Sequence, residues 1–262
     1  MKRAAHLASV ELPLKGWQVV LTRPAGEASA WRSAIRALGG APLSLPGMRL
    51  AAPADEALVV RQWQQALLAR WVIFTSPIAV RFAAGLGGWS AAMHALAMGE
   101  ATRRALARRG VEAVAPRRQD SEGLLALPAL QQLAGQSVAL VGGGDGRGLL
   151  RQQLQRRGAR LSEVQVYRRL PPRLNRRHVA AVQGLSTAAL LLLSSVEALT
   201  HLQAGLPEPV WQQLCQTQVI ASSARVAAAA QAAGCRYLVS AGSALRADML
   251  ATAVGVARAT AA

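Results

Sequence analysis

The chain repeats itself at a fixed offset of 119 residues, and that self-similarity restricts its fold more than any other feature. WQVVLTRPAGEASAWRSAIRALGGAPLSLPGMRL (17–50) reads as a short apolar strand, a loop, an amphipathic helix, a glycine stop and a second strand. QSVALVGGGDGRGLLRQQLQRRGARLSEVQVYRRL (136–170) has the same order, ending in the strand Val164–Tyr167. Val19 and Val138 are 119 residues apart, as are Gly39 and Gly158. WVIFTSPIAVRF, from Trp71, matches LLLLSSVEALTHL, from Leu190, with Ser76 and Ser195 at the same offset. In both, a buried strand ends in two hydroxyl residues where a helix should start, and Pro77 suits the first turn of that helix. MGEATRRALARRGVEAVAP (98–116) and ASSARVAAAAQAAGCRYLVSA (221–241) each add a polar turn, a helix, a glycine stop and a strand.

Strands this short and apolar, alternating with helices, predict parallel sheets covered on both faces: a duplicated, doubly wound α/β protein. Its ligand is expected at the carboxyl ends of the strands, between the two copies. The stretches LPGMR (45–49) and YRRLPP (167–172) fall at matching places in the repeat. Both could be crossovers that join the first quarter of the chain to the last; the residues leave that open.

Charge narrows the partner. The net charge is +17, carried almost entirely by arginine, which favours anionic ligands and bidentate pairing with carboxylate or phosphate. The arginines are scattered through every segment and aromatics make up only 4%, so neither a basic stripe nor a base-stacking platform is visible and nucleic acid is not the expected partner. An arginine-rich surface with no ligand of its own is the competing explanation. With 52% hydrophobic and 16% charged residues, disorder is not expected. Cys215 and Cys235 are the only cysteines and form no metal spacing or disulfide framework, which suits a reducing cytoplasm. The N-terminal MKRAAHLASVELPLKGW lacks the apolar core of a signal peptide, and TAALLLLSS (187–195) is too short to span a bilayer.

The loop VGGGDGRG (141–148) invites a nucleotide reading and fails it. Counted from Gly142, Arg147 stands at the last glycine position of G-x-G-x-x-G; counted from Gly144, Leu149 does. No Lys-Ser/Thr follows for a Walker motif, and Glu163 alone is weak evidence for a ribose-binding acid. Backbone N–H groups beside a helix start, with Gly144 and Arg147, can still hold an anion, carboxylates included. The other strand exits carry similar groups: Thr22-Arg23, Thr75-Ser76, Ser194-Ser195, Gly99 to Thr102, and Ser222 to Arg225. Singly each is an ordinary helix cap. Together, on one rim, they suit a ligand with several carboxylates.

No metalloprotease motif, nucleophile elbow, Cys–His pair or carboxylate cluster stands out, and His6, His94, His178 and His201 are dispersed. Tyr167, followed by Arg168-Arg169, is the one candidate for chemistry, as a hydrogen-bond donor to a leaving or anionic oxygen; an interface aromatic is the alternative.

Six elements, in order, resemble the uroporphyrinogen-III synthase family: LTRP (21–24), IFTSPIAV (73–80), GEATRRAL (99–106), GDGRGLLRQQLQRRGARLSEVQVYRR (144–169), LLLSSVEAL (191–199) and GSALRADMLATAV (242–254). The resemblance implies two flavodoxin-like α/β domains with parallel sheets, joined by a two-stranded linker. The first would comprise 1–45 with 173–262, the second 52–165, and the linker strands 46–51 and 166–172. It implies closure of hydroxymethylbilane, with loss of water and inversion of ring D, without cofactor or metal. It also implies that Tyr167 assists departure of the hydroxyl and that Arg23, Thr75, Ser76, Thr102 and Arg147 line the substrate site; from their places at the other strand exits, Thr22, Gly144, Ser194, Ser195, Ser222 and Arg225 are expected to line it with them. The implied partner is an anionic linear tetrapyrrole, with neither nucleic acid nor membrane; a monomer and a transient handover from hydroxymethylbilane synthase are consistent with it. Gly142 stands where the family often has arginine, and Ser194-Ser195-Val196 and Ser222-Ser223-Ala224-Arg225 depart from its usual turns. A two-domain binding protein for a polycarboxylate or other anionic small molecule is the alternative function.

Overall fold

The computed structural model describes residues 12–89, 93–144 and 148–261. It divides into two compact units, one formed by the chain up to Arg49 and again from Leu170 onward, the other by Leu50–Arg169. In chain order, β1 (Gln18–Leu21) and β2 (Ala41–Ser44) start the first unit, and β3 (Arg49–Ala51) leads out of it. The second unit holds β4 (Trp71–Phe74), β5 (Ala95–Ala97), β6 (Ala113–Val114), β7 (Ser137–Gly142) and β8 (Arg160–Gln165). The chain returns through β9 (Arg168–Leu170), which pairs with β3. It then completes the first sheet with β10 (Ala189–Leu193), β11 (Gln218–Ala221) and β12 (Tyr237–Ser240).

The sheet orders are β12-β11-β10-β1-β2 and β6-β5-β4-β7-β8, with every pair parallel. The 119-residue offset is visible in the registers. Val19 pairs with Leu190 in one sheet, and their repeat mates, Val138 and Trp71, pair in the other. Likewise Val19 pairs with Pro42, and Val138 with Leu161. Each sheet therefore takes two strands from one copy of the repeat and three from the other. The exchange runs through β3 and β9, which are themselves 119 residues apart.

Local chemistry explains how the helices stop. Gly39 and Gly158 adopt φ of +87° and +81°, a left-handed conformation that glycine reaches without a Cβ clash. The following N–H groups, of Gly40 and Ala159, then reach back to the carbonyls of Ile35 and Leu154, closing the helix ends identically in the two copies. Period-two alternation divides each strand between two cores. In the first unit, Val20, Leu191 and Leu193 face one side and Val19, Leu21, Leu190 and Leu192 the other. In the second, Val72, Phe74, Ala139 and Val141 face a core containing Trp63, while Ile73, Val138 and Leu140 face the opposite one. Trp63 is fully buried, edge-on to Phe74 at 6.1 Å, with its indole N–H donating to the Gly87 carbonyl. Among the described residues, no helix is long and apolar enough to cross a membrane.

Candidate active site

Because the strands of each sheet run parallel, the loops that follow them emerge at one edge, and the strand order reverses between the two central strands, where open α/β sheets take their ligands. Those central pairs are β1 with β10 and β4 with β7. In the first unit, Thr22 is buried and its hydroxyl donates to the Leu192 carbonyl of β10 at 2.9 Å. In the second, the Thr75 hydroxyl donates to the Val141 carbonyl of β7 at 3.1 Å. Both hydroxyl protons thus clasp the central strands at the switch point, and only the lone pairs of these hydroxyls remain for a ligand.

The serines are also engaged. Ser76 Oγ accepts from the Ala79 N–H at 3.2 Å and Ser195 Oγ from the Ala198 N–H at 3.4 Å, so each caps the helix after it. Their hydroxyl protons stay available. Ser194 is half-buried beside its neighbour. Ser222 is buried, its N–H extending the ladder to the Leu193 carbonyl; the cap of the helix Ala224–Ala232 is the exposed Ser223, which accepts from the Val226 N–H. Arg225 projects from the first turn of that helix and is exposed. Thr102 is buried in the first turn of Glu100–Ala107.

Arg23 is an anchored cation of the first rim. Its guanidinium lies 4.7 Å from the ring centroid of Trp31 and donates through Nη2 to the Ala244 carbonyl at 3.0 Å. Burial lowers its pKa, and the nearby Glu27 opposes that shift. An arginine remains charged under such perturbation and, of five N–H groups, this bond uses one. Trp31 and Ala244 therefore hold a positive fork in place.

In the second unit, Tyr167 lies beyond the end of β8, in the gap before β9, and not within the strand Val164–Tyr167 expected from the sequence. The Val166 N–H bonds both to Gly142 of β7 and back to the Val164 carbonyl, which turns the chain out of the sheet there. Tyr167 is buried at 1% exposure, its ring stacked on Phe82 at 5.4 Å. Gly143 also lies against the ring: a Cβ at that position would stand 2.4 Å from two ring carbons and 2.8 Å from the hydroxyl oxygen. Gly144, at φ +89°, lies under Gln165, whose side-chain amide donates to the Gly143 carbonyl at 3.3 Å. The loop's glycines thus seat an aromatic ring. Arg147, expected to complete this loop, lies with Asp145 and Gly146 outside the described residues. Glu163 is held by Arg151 in a two-pronged ion pair, which removes it as a ribose acceptor.

Gly143, Phe82 and Gln165 were not singled out by the sequence. Gly143 stands inside a glycine run, where nothing local distinguishes the residue that touches a ring from one that only turns the chain. A groove of about 560 Å³ borders Gly144 and Gln165. A larger hollow of about 830 Å³, lined by Trp71, His94 and Val114, adjoins the amino ends of β4 and β5, away from the strand exits. Among the described residues, no cluster of His, Cys, Asp and Glu is arranged to hold a metal ion.

A sequence model described as Uroporphyrinogen-III synthase HemD matches residues 29–250. The uroporphyrinogen-III synthase of Salmonella typhimurium is 28% identical over 214 residues, covering 77% of this chain and 86% of that protein. A mutant uroporphyrinogen III synthase from the extremely thermophilic bacterium Thermus thermophilus superposes with a TM-score of 0.57 at 21% identity, covering 93% of this chain and 99% of that one. The uroporphyrinogen-III synthetase of Helicobacter pylori does so with a TM-score of 0.60 at 15% identity, covering 92% and 99%. At those identities the two structures speak for the fold: two α/β domains with parallel sheets, linked by strands.

Proposed function

We propose the following from the premise that this chain belongs to the uroporphyrinogen-III synthase family: it closes hydroxymethylbilane to uroporphyrinogen III, inverting ring D and releasing water. The observation that carries the chemistry is Tyr167, a phenol buried against Gly143 and Phe82 at the carboxyl end of β8. In the proposed reaction the Tyr167 Oη proton passes to the hydroxyl of the bilane as its C–O bond breaks, and water departs. Ring D then attacks the electron-poor carbon left behind, and closure proceeds through a spiro intermediate. The bilane ionises readily, so no strong nucleophile is demanded of the protein; holding one folded conformer decides which carbon is attacked.

The acetates and propionates of the substrate account for the positive surface. Arg23 is proposed to take one carboxylate with the donors left free by Ala244. Ser76, Ser194, Ser195, Gly144, Arg147 and Arg225 are proposed to supply further donors, and Thr22, Thr75, Thr102 and Ser222 to shape the rims from beneath. The enzyme is read as a cytoplasmic monomer that receives the bilane by transient handover; the reduced Cys215 and Cys235 suit that compartment.

Incubation with freshly made hydroxymethylbilane, followed by separation of the isomers, tests the reaction. Type III product above the spontaneous type I background is expected. Bound bilane that yields only type I would instead identify a polycarboxylate-binding protein. Arg23→Gln should raise KM about tenfold, the loss of one charge-assisted hydrogen bond, with kcat nearly constant. An unchanged KM removes Arg23 from the substrate site.

A further inference from the structure

Cys215 and Cys235 are brought side by side in the first unit. Cys215 ends the helix Glu208–Cys215, and Cys235 follows Gly234, whose φ of +97° turns the chain after the helix Ala224–Ala232. Their Sγ atoms are 3.0 Å apart, both residues are 2% exposed, and both are free thiols. Trp211, Leu214 and Ala230 belong to the apolar cluster around them. At that separation one S–H is shared with the other sulfur. Donation from Cys215 lowers the pKa of Cys235, while that of Cys215 is raised because its proton is held. The pair therefore sets two sulfurs within bonding reach of each other, with Cys235 the readier of the two to lose its proton. A hollow of about 390 Å³, lined by Trp211, Cys215, Gln216, Gly234 and Arg236, reaches the pair on the Cys215 side.

We propose that Cys215 and Cys235 form a reversible redox site, closed to an intramolecular disulfide by a peroxide. The thiolate attacks one peroxide oxygen, the O–O bond breaks, and the leaving hydroxide takes a proton to become water, leaving a sulfenic acid. The second sulfur, losing its proton, attacks the sulfenic sulfur; the S–S bond forms, the S–O bond breaks, and a second water leaves. One peroxide is reduced to two waters as two thiols are oxidised to one disulfide. A small dithiol reverses the change by exchange. The bond would close the segment 215–235, which carries β11, Ser222, Ser223, Arg225 and the helix Ala224–Ala232. Oxidation thus stabilises the folded unit that bears this strand-exit turn, by restricting the unfolded chain.

The test uses the full chain and does not depend on its reaction. After brief treatment with hydrogen peroxide, then denaturation and alkylation with iodoacetamide, intact mass should fall by about 2 Da with neither cysteine alkylated. Dithiothreitol should restore both alkylation sites. Tm of the oxidised form should rise by about 5–10 °C. In Cys215→Ser and Cys235→Ser, the remaining cysteine should stop at a sulfenic acid trapped by dimedone. If either variant fails to fold, the mass of the unaltered chain decides. Both thiols still alkylated, sulfinic acid on each, or disulfide-linked dimers would overturn the proposal.

Discussion

Tyr167→Phe is expected to lower turnover by about one to two orders of magnitude, the range of a lost general acid, with the denaturation midpoint nearly unchanged. The substitution removes only the hydroxyl. The ring keeps its stack on Phe82 and its contact with Gly143, so the packing that holds this corner of the second unit is retained. KM should move little, because the proton is transferred in the transition state and contributes little to ground-state binding. Steady-state kinetics with hydroxymethylbilane, alongside urea denaturation, makes the comparison. Wild-type turnover in the variant rules out Tyr167 as the proton donor.

Gly143→Ala is expected to lower turnover at least tenfold through the same tyrosine, although the substituted residue carries no functional group. The new Cβ would overlap the ring at 2.4 Å. The ring cannot simply retreat, because Phe82 stacks on it. Nor can the loop withdraw freely: Gly142 accepts from the Val166 N–H at 2.9 Å, and the Gly143 carbonyl accepts from Gln165. The hydroxyl must therefore shift, and misplacement of a catalytic group by about 1 Å costs on the order of a hundredfold. Overpacking should also destabilise the fold by about 1–3 kcal/mol, visible as a lower urea midpoint. The double variant distinguishes displacement of the ring from general damage. In a Tyr167→Phe background, Gly143→Ala should cost little further turnover, since residues acting as one unit are not additive. A full additional tenfold loss there would show that the alanine acts by another route.

The comparison of Gly143 with Gly39 shows why some of this was legible in the residues and some was not. Gly39 announces itself: it follows an amphipathic helix, precedes a strand, and has a mate 119 residues later. Its left-handed φ answers a purely local need. Gly143 answers a need set by Tyr167, which approaches only when β7 and β8 pair. Thr22 and Ser76 divide in the same way. That a hydroxyl should follow each strand was readable; that Thr22 gives its proton to β10, while Ser76 caps its own helix, depends on which strand lies next door. Cys215 and Cys235 lie on opposite sides of a strand–helix unit, and their spacing carried no sign of contact.

Sequence by itself determined the strands, the helices, their glycine stops and the duplication, because these follow from periodicity and backbone sterics over a few neighbouring residues. The exchange of strands between copies was decided only in tertiary structure. β1 and β7 carry interchangeable apolar patterns, as do β4 and β10, so local chemistry cannot say which pairs with which. That choice is made by long-range parallel pairing and by the β3–β9 crossover. The same pairing sets Tyr167 on Gly143 and brings the two thiols together.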